Sequence, residues 1–210
     1  MSSRPAAVVF DIGNVLIRWD PHPAVAARVG DEEATRFLAA DDFDFLAWNH
    51  RQDAGRPWAE AEDDVARTHP HWHEHALAYR THFDLSLLGP VEENVAVLRD
   101  LARAGVPVFA LTNWSAELFP TALRRFDFLA LFDDIVVSGA EGLAKPDPAI
   151  FDVLRRRVGH PLRECLFVDD SLANVAAAAA AGMDAVHVRP GTDLRGVMVE
   201  RRLPLGPPNG

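Results

Sequence analysis

The chain has 210 residues, enough for one well-buried domain or for a domain carrying a smaller inserted one. Apolar residues make up 49% and charged residues 25%, an ordinary globular composition rather than a disordered or membrane-spanning one. With 31 acids against 21 bases the formal charge is -10, which argues against a general nucleic-acid or anionic-membrane surface and requires any anionic ligand to meet a locally positive site.

The first apolar run, Ala6 to Phe10, is too short for a helix and stops at Asp11, followed by Gly13 and Asn14 before apolar residues resume. It reads as a buried strand ending in an acid. In an open parallel sheet, ligands bind at the carboxyl ends of strands, so Asp11 either caps a turn or takes part in chemistry. The segment before it is too short for a signal-peptide core, and no apolar run approaches membrane-spanning length. The single cysteine, Cys165, has no partner for an intramolecular disulfide, so a cytoplasmic protein with a buried, inert thiol is expected.

From Trp19 to Leu88, acids, histidines and tryptophans crowd in and β-branched runs vanish, so helical periods fit better. Asp31 is placed to cap a helix running through Phe37 and Leu38. Pro57 suits the first turn of another that includes Trp58, Ala61 and Val65. An α-helical insert over residues 19–88 after the first strand can cover the strand ends as a lid.

From Pro90 the pattern alternates. A helix Val91 to Ala104 stops at Gly105, and a strand Val106 to Leu111 leads into Thr112 and Asn113. A helix Ala116 to Arg125, a strand Ile135 to Val137 and a loop with Lys145 follow, then a helix Pro148 to Val158 ending at Gly159. A strand Cys165 to Val168 meets Asp169 and Asp170, and a helix Leu172 to Ala181 stops at Gly182 before a strand Ala185 to Val188. Such alternation implies an α/β fold with a parallel sheet and right-handed crossovers. The core thus comprises residues 1–18 and 89–202, and the Pro- and Gly-rich tail 203–210 is expected to be disordered. The six alanines Ala176 to Ala181 supply a strong helix former with small side chains.

Four polar stations fall at or beyond strand ends: Asp11, Thr112 with Asn113, Lys145, and the Asp169/Asp170 pair. Singly, each has a bland role as a turn residue, solvated charge or helix cap. Together their chemistry is coherent. A carboxylate can act as a nucleophile, and its approach to another anion needs an ammonium or a hard cation nearby.

The order and context of these stations resemble the four motifs of the haloacid dehalogenase (HAD) superfamily, in its subfamily with a helical cap inserted after the first motif. The likeness runs from Val8 to about Val188. The resemblance implies a Rossmann-like parallel-sheet core with an inserted α-helical cap, and a Mg²⁺-dependent hydrolase of small phosphorylated substrates. By it, Asp11 is nucleophile and metal ligand, the Gly13 carbonyl and Asp170 are metal ligands, and Asp169 acts through a metal-bound water. Thr112 and Asn113 bind phosphate, Lys145 steadies nucleophile and phosphate, and Asn174 stands at a supporting position that is often acidic.

One position departs from the family. Most of its phosphatases carry a second aspartate two residues after the nucleophile, where it protonates the leaving group and then activates water; here the residue is Gly13. The D-x-G-N sequence resembles a subgroup in which sugar-1-phosphate hydrolysis is known, and an anomeric leaving oxygen has less need of an acid. Asp20, His22 or a residue of the insert are the candidates to replace it. Two rivals to a phosphatase also tolerate Gly13: a 2-haloacid dehalogenase, whose halide leaves without a proton, and a degenerate phosphate-binding protein with weak turnover.

Within the insert, His71 and His75 could pair at i, i+4 among the alternating histidines His69, His71, His73 and His75, or belong to a solvated face. The segment Asp53-Ala54-Gly55-Arg56-Pro57 resembles the cap segment that faces the active site, making Arg56 or Arg51 a candidate either to read the substrate or to be a surface charge. Trp48 and Trp114 are candidates either to line the pocket or to fill the core.

Overall fold

The computed structural model describes residues 4–205. Strand β1 (Ala7–Phe10) is buried along its whole length because it lies at the centre of a parallel sheet and is covered on both faces. The chain then forms a short strand β2 (Ile17–Trp19) and five helices, α1 (His22–Val29), α2 (Asp31–Leu38), α3 (Phe45–Asp53), α4 (Trp58–Thr68) and α5 (His73–Thr81). Strand β3 (Leu87–Pro90) returns antiparallel to β2, with Ile17 opposite Pro90 and Trp19 opposite Leu87. This two-stranded ribbon is a stem through which the chain leaves the sheet and comes back. Runs of three and four residues that include Gly89 and Pro90 carry no strand alternation, so the sequence did not announce it.

The remaining elements alternate: α6 (Glu92–Arg103), β4 (Val108–Thr112), α7 (Phe119–Arg125), β5 (Asp134–Val137), α8 (Ser138–Glu141), α9 (Pro148–Val158), β6 (Cys165–Asp169), α10 (Leu172–Ala180), β7 (Asp184–His187) and α11 (Leu194–Glu200). The five-stranded sheet is parallel throughout, in the order β5-β4-β1-β6-β7. Successive side chains of β1 enter opposite cores: Val8 and Phe10 pack with Val95, Leu98 and Leu101 of α6, while Ala7 and Val9 pack with Ile150 and Leu154 of α9. Ala178, fully buried on the second face, is where the alanine run lets α10 approach the sheet.

Several boundaries differ from expectation for local reasons. Helix α2 begins at Asp31, but Gly30 is its N-cap and Asp31 lies in the first turn with Glu32 and Glu33, where acids suit the helix dipole. Helix α7 begins three residues later than Ala116, because Pro120 belongs in a first turn and cannot continue a helix already under way. The tail expected from residue 203 is corrected at its start. Leu203 is buried and its N–H donates to the Met198 carbonyl (3.1 Å); residues 206–210 lie outside the described residues. Cys165 is buried and free, and burial pushes its thiol up to about 11. Among the described residues, no helix is long and apolar enough to cross a membrane.

Candidate active site

Register brings the stations together. Phe10 pairs with Ala110 and with Val168, so Asp11, Thr112 and Asp169 emerge at the same sheet edge, where the chain switches from one side of β1 to the other. This is the crevice where open α/β sheets bind ligands. Lys145 reaches in from the loop before α9, only 1% exposed, and spends all three protons: on Asp11 Oδ1 (3.0 Å), Asp169 Oδ2 (2.7 Å) and the Leu111 carbonyl (2.7 Å). Burial alone would lower the Lys145 ammonium, but the Asp11 and Asp169 carboxylates overcome this and hold it above the ordinary lysine value. Burial pushes the Asp11 carboxyl up to about 7; Lys145 pulls it down, while the charges of Asp169 and Asp170 push it further up.

Asp169 is fully buried and saturated by protein donors. Its Oδ1 accepts from the Ser171 N–H (2.7 Å) and Asn174 Nδ2 (3.0 Å), and its Oδ2 from Asn174 Nδ2 (3.1 Å) and Lys145. Asp170 instead opens onto the cavity, its carboxyl raised by burial and then by the Asp169 charge, with Asn14 bonded beside it. Oxygens from Asp11, Asp169 and Asp170 all lie within 4.8 Å of one another. Such a set of hard oxygen donors fits Mg²⁺, and a divalent cation there would pull Asp11 back to its ionised form.

The phosphate-binding candidates divide by what their side chains already do. Thr112 Oγ1 is buried without a hydrogen-bond partner, an orphan that suits a ligand oxygen. Asn113 uses both ends of its amide on the Lys145 main chain, donating to its carbonyl and accepting from its N–H at 2.8 Å each, so its side chain clamps the lysine loop. A Cβ at Gly13 would meet nothing within 4 Å: the space the missing side chain would enter is open.

Above these groups lies a cavity of about 510 Å³. Its far wall comes from the ribbon and the helices between its strands: Trp19, Leu46, Asn49, His50, Asp53 and Tyr79. Phe83 and Trp114 extend the aromatic surface. The two walls are tied together. Trp58 donates its indole N–H to Ser115 Oγ (2.8 Å) and its main-chain N–H to Glu117 Oε1 (2.9 Å), both on the loop after β4. The Asp53 carbonyl accepts from the Ser138 hydroxyl.

For the other residues of the insert the structure decides between the alternatives. Arg56 turns back along α4 to the Glu60 carbonyl (3.0 Å) and Asp64 (3.2 Å), Arg51 is exposed, and neither lines the cavity. His71 lies in a 3₁₀ turn and pairs with Asp42 (2.8 Å), whereas His75 is buried in α5, so the two do not share a helix face. Among the described residues the only metal-competent group of His, Cys, Asp and Glu is the carboxylate cluster. Trp48 is core, packed on Phe43, Phe45 and Trp58, while Trp114 lines the cavity. Asp20 accepts from the His22 N–H (2.9 Å), the His22 ring meets Thr35 (3.1 Å), and neither residue faces the cavity. Sequence reasoning missed Trp19, Asn49, His50 and Tyr79. The nearest signal was the Asp53 segment, whose cavity-facing residue is the aspartate rather than the arginine.

A sequence profile described as haloacid dehalogenase-like hydrolase matches residues 5–182. A sesquiterpene phosphatase of Aspergillus oryzae is 27% identical over 211 aligned positions, covering 95% of this chain and 96% of that protein. A phosphoglycolate phosphatase of Pseudomonas savastanoi is 26% identical over 196 positions, covering 87% of this chain and 68% of that protein. A HAD family enzyme of Bacteroides thetaiotaomicron, solved as a magnesium complex, shares the fold with a TM-score of 0.73 at 19% identity, over 94% of this chain and 98% of that one.

Proposed function

The chain belongs to the haloacid dehalogenase-like hydrolases, and from that premise we propose that it is a Mg²⁺-dependent phosphomonoesterase in which Asp11 carries the phosphoryl group between two displacements. The observation that carries this reading is the buried Lys145 ammonium held between Asp11 and Asp169, beside the unpartnered Thr112 hydroxyl. An ammonium fixed against the attacking carboxylate offsets the repulsion between two anions. Asp11, Asp170 and the Gly13 carbonyl would hold Mg²⁺. Bound there, it supplies positive charge to the incoming phosphate.

The chain's own groups divide the work. Asp11 attacks phosphorus and is released when water attacks the aspartyl-phosphate. Thr112 Oγ1 and the main-chain N–H of Asn113 receive phosphate oxygens, and Lys145 keeps the attacking carboxylate oriented. Asp169, whose oxygens are already engaged, braces Lys145 and Asn174 rather than reaching a cation directly. The helical elements between β2 and β3 act as a cap that selects the organic part of the substrate.

Sugar phosphates suit the D-x-G-N sequence. The aromatic wall of Trp19, Tyr79, Phe83 and Trp114 favours a second reading, a phosphate ester of an apolar alcohol, in line with the similarity to a sesquiterpene phosphatase. The test is phosphate release from a panel of sugar-1-phosphates, sugar-6-phosphates and prenyl monophosphates, with and without Mg²⁺. Turnover that needs both Mg²⁺ and Asp11, and is lost in Asp11→Asn, supports the proposal. Full activity in that variant refutes it, and halide release from 2-chloropropionate without Mg²⁺ would favour a dehalogenase.

A further inference from the structure

Gly13 leaves no acidic side chain two residues after Asp11, and the open space above it leads to the insert. Of the residues able to replace the acid, Asp20 and His22 are turned away, so the group must come from the far wall. That wall presents one carboxyl to the cavity, Asp53, at the last turn of α3. We infer that the Asp53 carboxyl is the proton donor to the leaving-group oxygen, acting from the helical insert in place of the side chain that Gly13 lacks. The inference rests on the phosphatase reading.

The surroundings of Asp53 fix it in place without neutralising its role. Asn49, one turn earlier on α3, donates to its Oδ2 (3.1 Å). The turn that follows is locked to the sheet side: Gly55 has φ +99°, and a Cβ there would lie 3.0 Å from the Gly142 Cα, so only glycine permits this approach. With the Ser138 bond to its carbonyl, Asp53 is held by the same loops that frame the phosphate site.

The groups facing Asp53 are the Tyr79 hydroxyl, the Ser115 main-chain N–H and the Asn49 amide, with His50 beside it and Asp11, Asp170 and Lys145 across the cavity. Among the described residues no ammonium or guanidinium pairs with it. Burial therefore pushes its carboxyl up to about 7, with the Ser115 N–H working against it. A general acid works best when its pKa lies near the operating pH.

The step balances. As an Asp11 oxygen forms its bond to phosphorus, the bond from phosphorus to the ester oxygen breaks, that oxygen takes the Asp53 proton, and the alcohol leaves. The Asp53 carboxylate then accepts a proton from water as the water oxygen attacks the aspartyl-phosphate. Inorganic phosphate departs, and Asp11 is freed as a carboxylate.

The experiment compares kcat/KM for an alkyl phosphate, whose alcohol needs a proton, with that for p-nitrophenyl phosphate, whose leaving group does not. In Asp53→Asn the alkyl ester should lose ~100- to 10,000-fold and the aryl ester at most about tenfold. Pre-steady-state mixing of that variant with the aryl ester should give a nitrophenolate burst, because water attack is slowed. In the unaltered protein, activity on the alkyl ester should fall above pH about 7 with no matching fall for the aryl ester, a readout independent of the variant's folding. Equal losses on both esters, or no loss, overturn the inference. A selective loss in His50→Ala would reassign the proton donor to His50. Failure of the unaltered protein to hydrolyse either ester would instead overturn the phosphatase reading beneath it.

Discussion

On the sheet side of the cavity, Lys145, Asp169 and Asn113 have every side-chain polar atom engaged by a protein partner. On the insert side, an aromatic cluster of Phe37, Phe43, Phe45, Trp48, Trp58 and Tyr79 does the holding, and among the described residues Trp48 Nε1 and Gln52 Oε1 have no hydrogen-bond partner. The difference follows from what each wall buries. Charges removed from water must be paired and hydrogen-bonded, which permits one geometry. Aromatic surface is non-directional in its main contribution and tolerates several packings of similar volume. The sheet wall should therefore be intolerant of substitution, while the insert wall can vary its residues and with them its substrate.

Lys145→Met tests the first half of that contrast and should have the largest effect. The variant keeps an unbranched side chain but leaves Asp11 and Asp169 buried without their cation, so one must bind a proton. A stability loss of about 3–5 kcal/mol by urea unfolding is expected, together with loss of phosphate release. A loss below about 1 kcal/mol would mean that the sheet wall is not over-determined.

Trp58→Phe probes the tie between the walls. Phenylalanine retains much of the ring packing on Trp48 and Tyr79 but cannot donate to Ser115 Oγ, which keeps the Glu117 N–H as a weaker partner at 3.3 Å. About 1–2 kcal/mol should be lost. The unfolding midpoint should shift with no change in slope, as for one cooperative unit. Two separate transitions would show that the insert and the sheet unfold independently.

The same contrast explains what could be read from the sequence. Asp11, Thr112 and Asp169 were legible because an apolar run that stops at a polar residue is a local signal, and parallel pairing then brings such residues to one edge. Most of the cavity wall opposite was not legible, because Trp19, Asn49, His50 and Tyr79 come from β2, α3 and α5, and only the docking of those elements selects the side chains that face inward. The β2–β3 ribbon was too short to register, and α11 fully buries Leu194 and Met198 alone, from a segment with little apolar periodicity. Asn113 shows a subtler limit: its position at the strand end was apparent, but its occupation by the Lys145 main chain was not.

Arg56 offers the finest discrimination, because its sequence context and its geometry point to opposite outcomes. The cap-like segment Asp53 to Pro57 casts it as a substrate contact, which would make it worth a charge-assisted hydrogen bond to the ligand. Its position instead spends the guanidinium on Asp64 and the Glu60 carbonyl, where it holds the Asp64 carboxyl below the usual range. Both partners are partly solvated, with side chains 22% and 26% exposed, so the pair should contribute less than about 1 kcal/mol. Arg56→Ala should therefore leave KM within about twofold and lower stability only slightly, more so at low salt than at high. A tenfold rise in KM with unchanged stability would return Arg56 to the substrate and would require the turn after α3 to rearrange when ligand binds.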